Sequence, residues 1–180
     1  MALIVYEEET RYKYSGKYDY KKVKLTMEQE NVSLAIINSL GKANTFLLYG
    51  VTGSGKTEIY MDIIEKVLQE DKSAIVLVPE IGLTPQIVGK FISRFGDIIS
   101  VLHSKLSDSE RYDEYRKITL GKSKIAIGTR SAIFSPFSSL GIIIIDEEHT
   151  ASYKQENNPK YNAKAVSYTH LRAHETSQDL

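Results

Sequence analysis

Short unbroken apolar runs punctuate this chain, and between them apolar residues recur at helical spacing. Phe46-Leu47-Leu48-Tyr49, Ser73 to Val78, Ile98 to Leu102, Lys124 to Gly128 and Gly141 to Ile145 read as strands. Their lack of polar alternation is what a strand buried on both faces of a sheet requires. Helices fall between them. One follows Thr26, a capping residue type, and runs from Glu28 to Leu40 before Gly41. Another, Glu58 to Gln69, carries Ile59, Ile63 and Val67 on one face. Pro85 opens a third that reaches about Phe95, because proline suits the first helical position, and Ser107 to Thr119 forms a charged fourth. Strands alternating with helices predict an α/β fold with a mostly parallel sheet and right-handed crossovers. Residues 1–24 keep neither period and read as a linker or extended segment.

Composition narrows the class. A length of 180 residues leaves room for one domain with a real core. Basic and acidic residues number 23 each, so no net field draws the chain to nucleic acid or membrane, and any such contact needs a local patch. The absence of cysteine excludes disulfides and thiolate metal sites and fits a reducing cytoplasm. No apolar run approaches bilayer length, and Glu7-Glu8-Glu9 stands where a signal peptide would be apolar. A cytoplasmic protein with no membrane partner is expected.

The chemistry begins at Gly50-Val51-Thr52-Gly53-Ser54-Gly55-Lys56-Thr57, which has the glycine spacing, lysine and hydroxyl of a phosphate-binding loop. Gly50, Gly53 and Gly55, with Thr52 and Ser54 between them, let backbone N–H groups turn inward on phosphate oxygens. Lys56 adds a charge at the β/γ-phosphates, and the Thr57 hydroxyl holds Mg²⁺. The loop feeds a helix N-terminus, where anions bind.

A second element closes the most apolar strand: Asp146-Glu147-Glu148-His149. Asp146 there can complete the Mg²⁺ shell opposite Thr57, while Glu147 orients or deprotonates the attacking water. For an isolated cluster the alternative is a solvated helix start whose acidic residues suit the dipole. His149 reads either as a polar surface residue or as a contact linking nucleotide to a neighbouring loop. Gln29 reads either as a solvent-exposed helix residue or as an amide offering the donor and acceptor that adenine's N6/N7 edge needs. In parallel sheets ligands bind at the C-terminal ends of the strands, where the loop and the acidic cluster both fall.

Val78-Pro79-Glu80-Ile81-Gly82-Leu83-Thr84-Pro85-Gln86, Leu102-His103-Ser104 and Gly128-Thr129-Arg130-Ser131-Ala132-Ile133-Phe134-Ser135-Pro136 lie between these two elements. The order resembles that of superfamily 2 helicases, and the wording resembles their primosomal replication-restart branch, from about Leu25 to Val166. The resemblance implies a three-layer, RecA-like P-loop NTPase lobe over 25–166, incomplete at its C-terminus. It also implies ATP and Mg²⁺ as cofactors and 3′-to-5′ unwinding of single-stranded or forked DNA. ATP would then meet the loop and Gln29, the metal would meet Thr57 and Asp146, and catalysis would fall to Lys56, Asp146 and Glu147. Single-stranded DNA would run past Pro79, Thr84, Thr129, Arg130 and Ser131. Hydroxyls, backbone N–H groups and a guanidinium grip phosphates without reading bases; the alternative for Arg130 is a surface salt bridge.

The segment from Ser152 through Pro159-Lys160-Tyr161 is similar to the family's aromatic-rich loop, which couples DNA binding to hydrolysis. Tyr153 and Tyr161, beside Lys154 and Lys160, suit base stacking, typically worth about 1–3 kcal/mol per base. Otherwise this is a tyrosine-containing loop packing on its own lobe. Implied partners are a second helicase lobe, primosome proteins and single-strand-binding proteins.

The chain also departs from the family. Its residues do not supply a second lobe with an arginine finger, a Ser-Ala-Thr type motif, N-terminal DNA-end-binding regions or a cysteine-rich zinc insertion, so no zinc is expected. An arginine finger is worth on the order of 10³–10⁵ in rate. The expectation is a fragment that binds nucleotide weakly, hydrolyses it barely and does not unwind DNA. Residues 167–180 lose the periodicity and read as a non-native tail, excluded from the fold. His170 and His174 stand i, i+4 without a third ligand nearby, which argues against a metal site. Two other functions share the loop: a non-catalytic nucleotide- or DNA-binding fragment, and a small phosphotransferase. The latter needs an arginine-rich lid that the sequence does not show.

Overall fold

The apolar runs pair side by side as parallel strands. The computed structural model describes residues 23–42, 44–51, 53–80 and 82–176. Along the chain lie α1 (Met27–Ile37), α2 (Lys56–Gln69), β1 (Ser73–Leu77), α3 (Pro85–Phe95), β2 (Ile99–Leu102), α4 (Asp108–Thr119), β3 (Ile125–Gly128) and β4 (Leu140–Ile145). A small hairpin of β5 (Lys154–Gln155) and β6 (Tyr161–Asn162) precedes α5 (Ala163–Thr176). The main sheet has four strands in the order β2-β3-β1-β4, all parallel.

Residues of alternate parity enter different layers. Ala74, Val76 and Val78 meet Met61, Ile64, Val88 and Phe91 of α2 and α3 on one face. Ile75 and Leu77 meet Ile118 of α4, Ile133 and Ala163 of α5 on the other. The result is a three-layer α/β/α lobe with β1 buried along its whole length. Helix α2 needs two apolar stripes because it is covered on both sides. The predicted stripe Ile59, Ile63 and Val67 faces Val32 and Ile36 of α1, while Met61 and Ile64 face the sheet.

Polar groups close the remaining gaps. Thr26 and Gln29 form a reciprocal capping box at α1, Ser107 and Glu110 another at α4, and Thr84 caps α3 ahead of Pro85. Each such cap is typically worth ~1 kcal/mol. The Ser33 hydroxyl donates to Asp62 at 2.6 Å, tying α1 to α2. Arg94, its side chain only 5% exposed, pairs with Glu65 at 3.0 Å and Glu58 at 3.7 Å and ties α3 to α2. Strand β2 lies at the sheet's edge, where free backbone groups invite mispairing. The buried Glu114 carboxylate answers one of them by accepting from Val101 N–H at 3.1 Å, and it pairs with Lys117 at 2.6 Å.

Several features differ from the sequence pattern. Phe46–Tyr49 forms no strand, and Phe46, Leu47 and Tyr49 are exposed. An apolar run needs a backbone partner to enter a ladder, and among the described residues the outer edge of β4 has none. Helix α2 begins at Lys56, so the lysine lies inside its first turn. Helix α5 continues across the expected break at 166/167, because Val166 and Leu171 still reach the core. Residues 1–22, most of the expected linker, lie outside the described residues.

Glu114→Ala leaves the Val101 N–H buried without its acceptor. The expected cost is about 1–3 kcal/mol, read as a lower urea midpoint, with the fold retained by circular dichroism.

Candidate nucleotide site

The site grows from the N-terminus of α2. Gly55, the N-cap, has φ +83° and Gly53 has φ +82°, a region costly to residues with a Cβ. A Cβ on Gly55 would also fall 2.5 Å from Gln29 Nε2, and one on Gly50 would fall 2.8 Å from Ser54 Oγ. The loop is thus a cradle that only glycine leaves open. Lys56 Nζ donates to the Gly50 carbonyl at 2.7 Å across it. Thr57 sits half-buried in the first turn of α2. Thr52 lies outside the described residues.

Gln29 reaches this loop, but its visible contacts are internal. Its Nε2 donates to the Ser54 carbonyl at 2.9 Å, and its Oε1 accepts from Thr26 N–H at 2.9 Å. The same side chain therefore caps α1 and braces the phosphate loop.

The acidic cluster faces the loop from the end of β4. Asp146 N–H donates to Leu77 O at 2.9 Å, which extends the ladder one residue past the strand. Two tyrosines converge there. Tyr60 of α2 donates its hydroxyl to Asp146 Oδ1 at 3.2 Å. Tyr153 donates to the Asp146 carbonyl and, at 3.2 Å, to the Leu77 carbonyl. Burial, and then the Asp146 charge, pushes both phenols well above the ordinary tyrosine range, so both stay protonated donors.

Glu147 has φ +47°, a left-handed backbone that costs a residue with a Cβ roughly 1–2 kcal/mol. The turn is held by Thr150, whose N–H and hydroxyl both donate to the Glu147 carbonyl, at 3.0 and 2.9 Å. Strain of this kind concentrates where side-chain aim matters. His149 is 72% exposed, with Nε2 3.6 Å from Glu147 Oε2. Lys164 of α5 holds Glu148 by its carbonyl at 2.7 Å and its carboxylate at 3.1 Å.

Gly50, Lys56, Tyr60, Asp146 and Glu147 line one cavity of about 870 Å³. A lysine and a glycine cradle at a helix N-terminus suit a polyphosphate, and the facing carboxylates suit a divalent cation. The residues lining the cavity fit a magnesium nucleotide in their chemistry.

The residues expected along DNA divide. Thr84, Ser131 and Lys154 are exposed, and Thr129 is half-buried, its N–H donating to Leu102 O at 3.0 Å. Arg130 donates to the Ser152 and Lys154 carbonyls at 3.4 and 3.2 Å, so it braces the segment after the acidic cluster. Two expectations are corrected. Pro79 is buried, and its carbonyl accepts from Gly82 and Leu83 in the turn that leaves β1. Tyr153 is 1% exposed and cannot stack on a base, because its ring fills the core behind Asp146. The exposed aromatic near Arg130 is Phe134, edge-on to Tyr161 with ring centroids 5.0 Å apart. Sequence reasoning missed Phe134, Arg94 and Tyr60. A lone aromatic or arginine in a helix carries no periodic signal, since its role depends on what faces it. Among the described residues no group of three or more His, Cys, Asp or Glu side chains could hold a metal.

A glycine cradle, a helix-borne lysine and paired carboxylates beyond a parallel sheet define a P-loop nucleotide-binding lobe. The chain belongs to the DEAD/DEAH box helicase family, whose model matches residues 26–176. It is similar to the replication restart protein PriA of Bacillus subtilis, 52% identical over 174 residues that cover 94% of this chain and 22% of that protein. PriA of Synechocystis sp. is 54% identical over 122 residues, 67% of this chain and 15% of the relative. PriA of Haemophilus influenzae is 55% identical over 124 residues, 69% and 17% respectively. The chain therefore spans 22% or less of the length of these three relatives.

Gly55→Ala places a methyl group against Gln29 in a backbone region hostile to it. Stability should fall by about 1–2 kcal/mol in a thermal melt, and labelled-nucleotide titration should show weakened binding.

Proposed function

We propose that this chain is the ATP-binding lobe of a 3′-to-5′ ATP-dependent DNA helicase acting in replication restart. One observation carries the reading: Lys56, Asp146 and Glu147, far apart in sequence, line a single cavity at the phosphate loop. Similarity to proteins named for replication restart supports the biological setting.

In the proposed cycle Lys56 releases the Gly50 carbonyl and turns its ammonium to the β/γ-phosphates. The loop N–H groups close around the same oxygens, and the remaining hydrogen and lone pair of the Gln29 amide meet adenine. Thr57 and Asp146 would hold Mg²⁺, which would supply positive charge against the charge developing on the phosphates. Glu147 orients the attacking water or takes its proton, and His149 lies close enough to relay its position. Thr84, Thr129, Arg130, Ser131 and Lys154 offer hydroxyls and charge to a DNA backbone at the adjoining strand ends. Proposed partners are forked or single-stranded DNA, a second helicase lobe, and primosome and single-strand-binding proteins in the cytoplasm.

An arginine finger from the other lobe is worth on the order of 10³–10⁵ in rate. The 180-residue polypeptide alone should therefore bind nucleotide weakly, turn it over barely and fail to unwind DNA. Nucleotide titration with and without single-stranded DNA tests the reading. Lys56→Ala should weaken binding, and Glu147→Gln should preserve binding while abolishing residual turnover. A measured ATPase insensitive to both changes would overturn the site assignment. Turnover dependent on a small-molecule acceptor rather than DNA would favour a phosphotransferase.

A further inference from the structure

We infer that Tyr60 is a positioning residue that sets the orientation of the Asp146 carboxylate for its cation, an inference resting on the nucleotide site proposed above. Tyr60 lies on α2 just beyond Lys56 and Thr57, and its hydroxyl lies 3.2 Å from Asp146 Oδ1. Its half-buried ring packs against the core cluster under the sheet, so the phenol enters the cavity from the apolar side.

Both ends of this contact are mechanically fixed. Helix α2 is braced by Ser33–Asp62 and by Arg94 with Glu58 and Glu65. The main chain of Asp146 is held by Leu77 O and by the Tyr153 hydroxyl. What these contacts leave unset is the rotation of the Asp146 side chain, and the Tyr60 hydroxyl sets it. The choice of donor matters. A lysine or arginine in this place would cancel the negative charge that attracts a divalent cation. A phenol is a neutral donor, so it fixes one carboxylate oxygen and leaves the charge intact.

The test uses the full 180-residue chain and ADP labelled on its ribose, titrated in excess EDTA and in excess Mg²⁺. Tyr60→Phe removes one oxygen and should leave both the melting temperature and the EDTA affinity nearly unchanged. The gain in affinity on adding Mg²⁺ should drop about fivefold or more, as expected for a lost hydrogen bond to a charged group. Asp146→Asn should abolish that gain, and Tyr60→Phe added to it should change nothing further, because the two side chains act as a unit. A full Mg²⁺ gain in Tyr60→Phe, or an equal loss with and without Mg²⁺, overturns this inference while leaving the nucleotide site standing. If the unmodified chain shows no Mg²⁺ gain, or if Lys56→Ala binds as well as it does, the site reading fails and this inference with it.

Discussion

Helix α2 is held on three sides by different chemistry, and the nucleotide site depends on that restraint. Ile59, Ile63 and Val67 press on α1, Met61 and Ile64 press on the sheet, and Arg94 clamps Glu58 and Glu65 from α3. A helix N-terminus binds anions only as well as its position is fixed, since the dipole and the free N–H groups fall off within a turn. Packing along the length of α2 therefore decides where Lys56 and Thr57 stand relative to Asp146.

The same restraint explains why polar groups tolerate burial here. Tyr60 and Tyr153 occupy places where an unpaired donor would be costly, Gln29 a more exposed one, and each finds an acceptor on the opposite element. Their partners are main-chain carbonyls or the Asp146 carboxylate, so satisfying them also aligns the loop, β1 and β4. Glu147 keeps a strained backbone at the point where the sheet ends and the chemistry is proposed to begin.

Much of the fold was legible because local rules and burial agreed. Thr26, Ser107 and Pro85 marked helix starts that the caps bear out, and the apolar runs from Ser73, Ile98, Lys124 and Gly141 became the sheet to within a residue. Phe46–Tyr49 misled for a physical reason: apolar composition licenses a strand, but a ladder needs a partner. Tyr153 misled in the opposite sense. An aromatic beside a lysine looks like a stacking platform, yet its ring entered the core and its hydroxyl went to two carbonyls.

By itself the sequence determined the phosphate loop, the acidic cluster and the alternation of strand and helix, because each is a local pattern whose chemistry depends on near neighbours. Only the tertiary structure decided that α2 is buried on two faces, that Gln29 braces the loop, and that Tyr60 meets Asp146. Those outcomes join residues remote along the chain. No periodicity encodes such pairs, since each depends on which strand and helix become neighbours in the folded lobe.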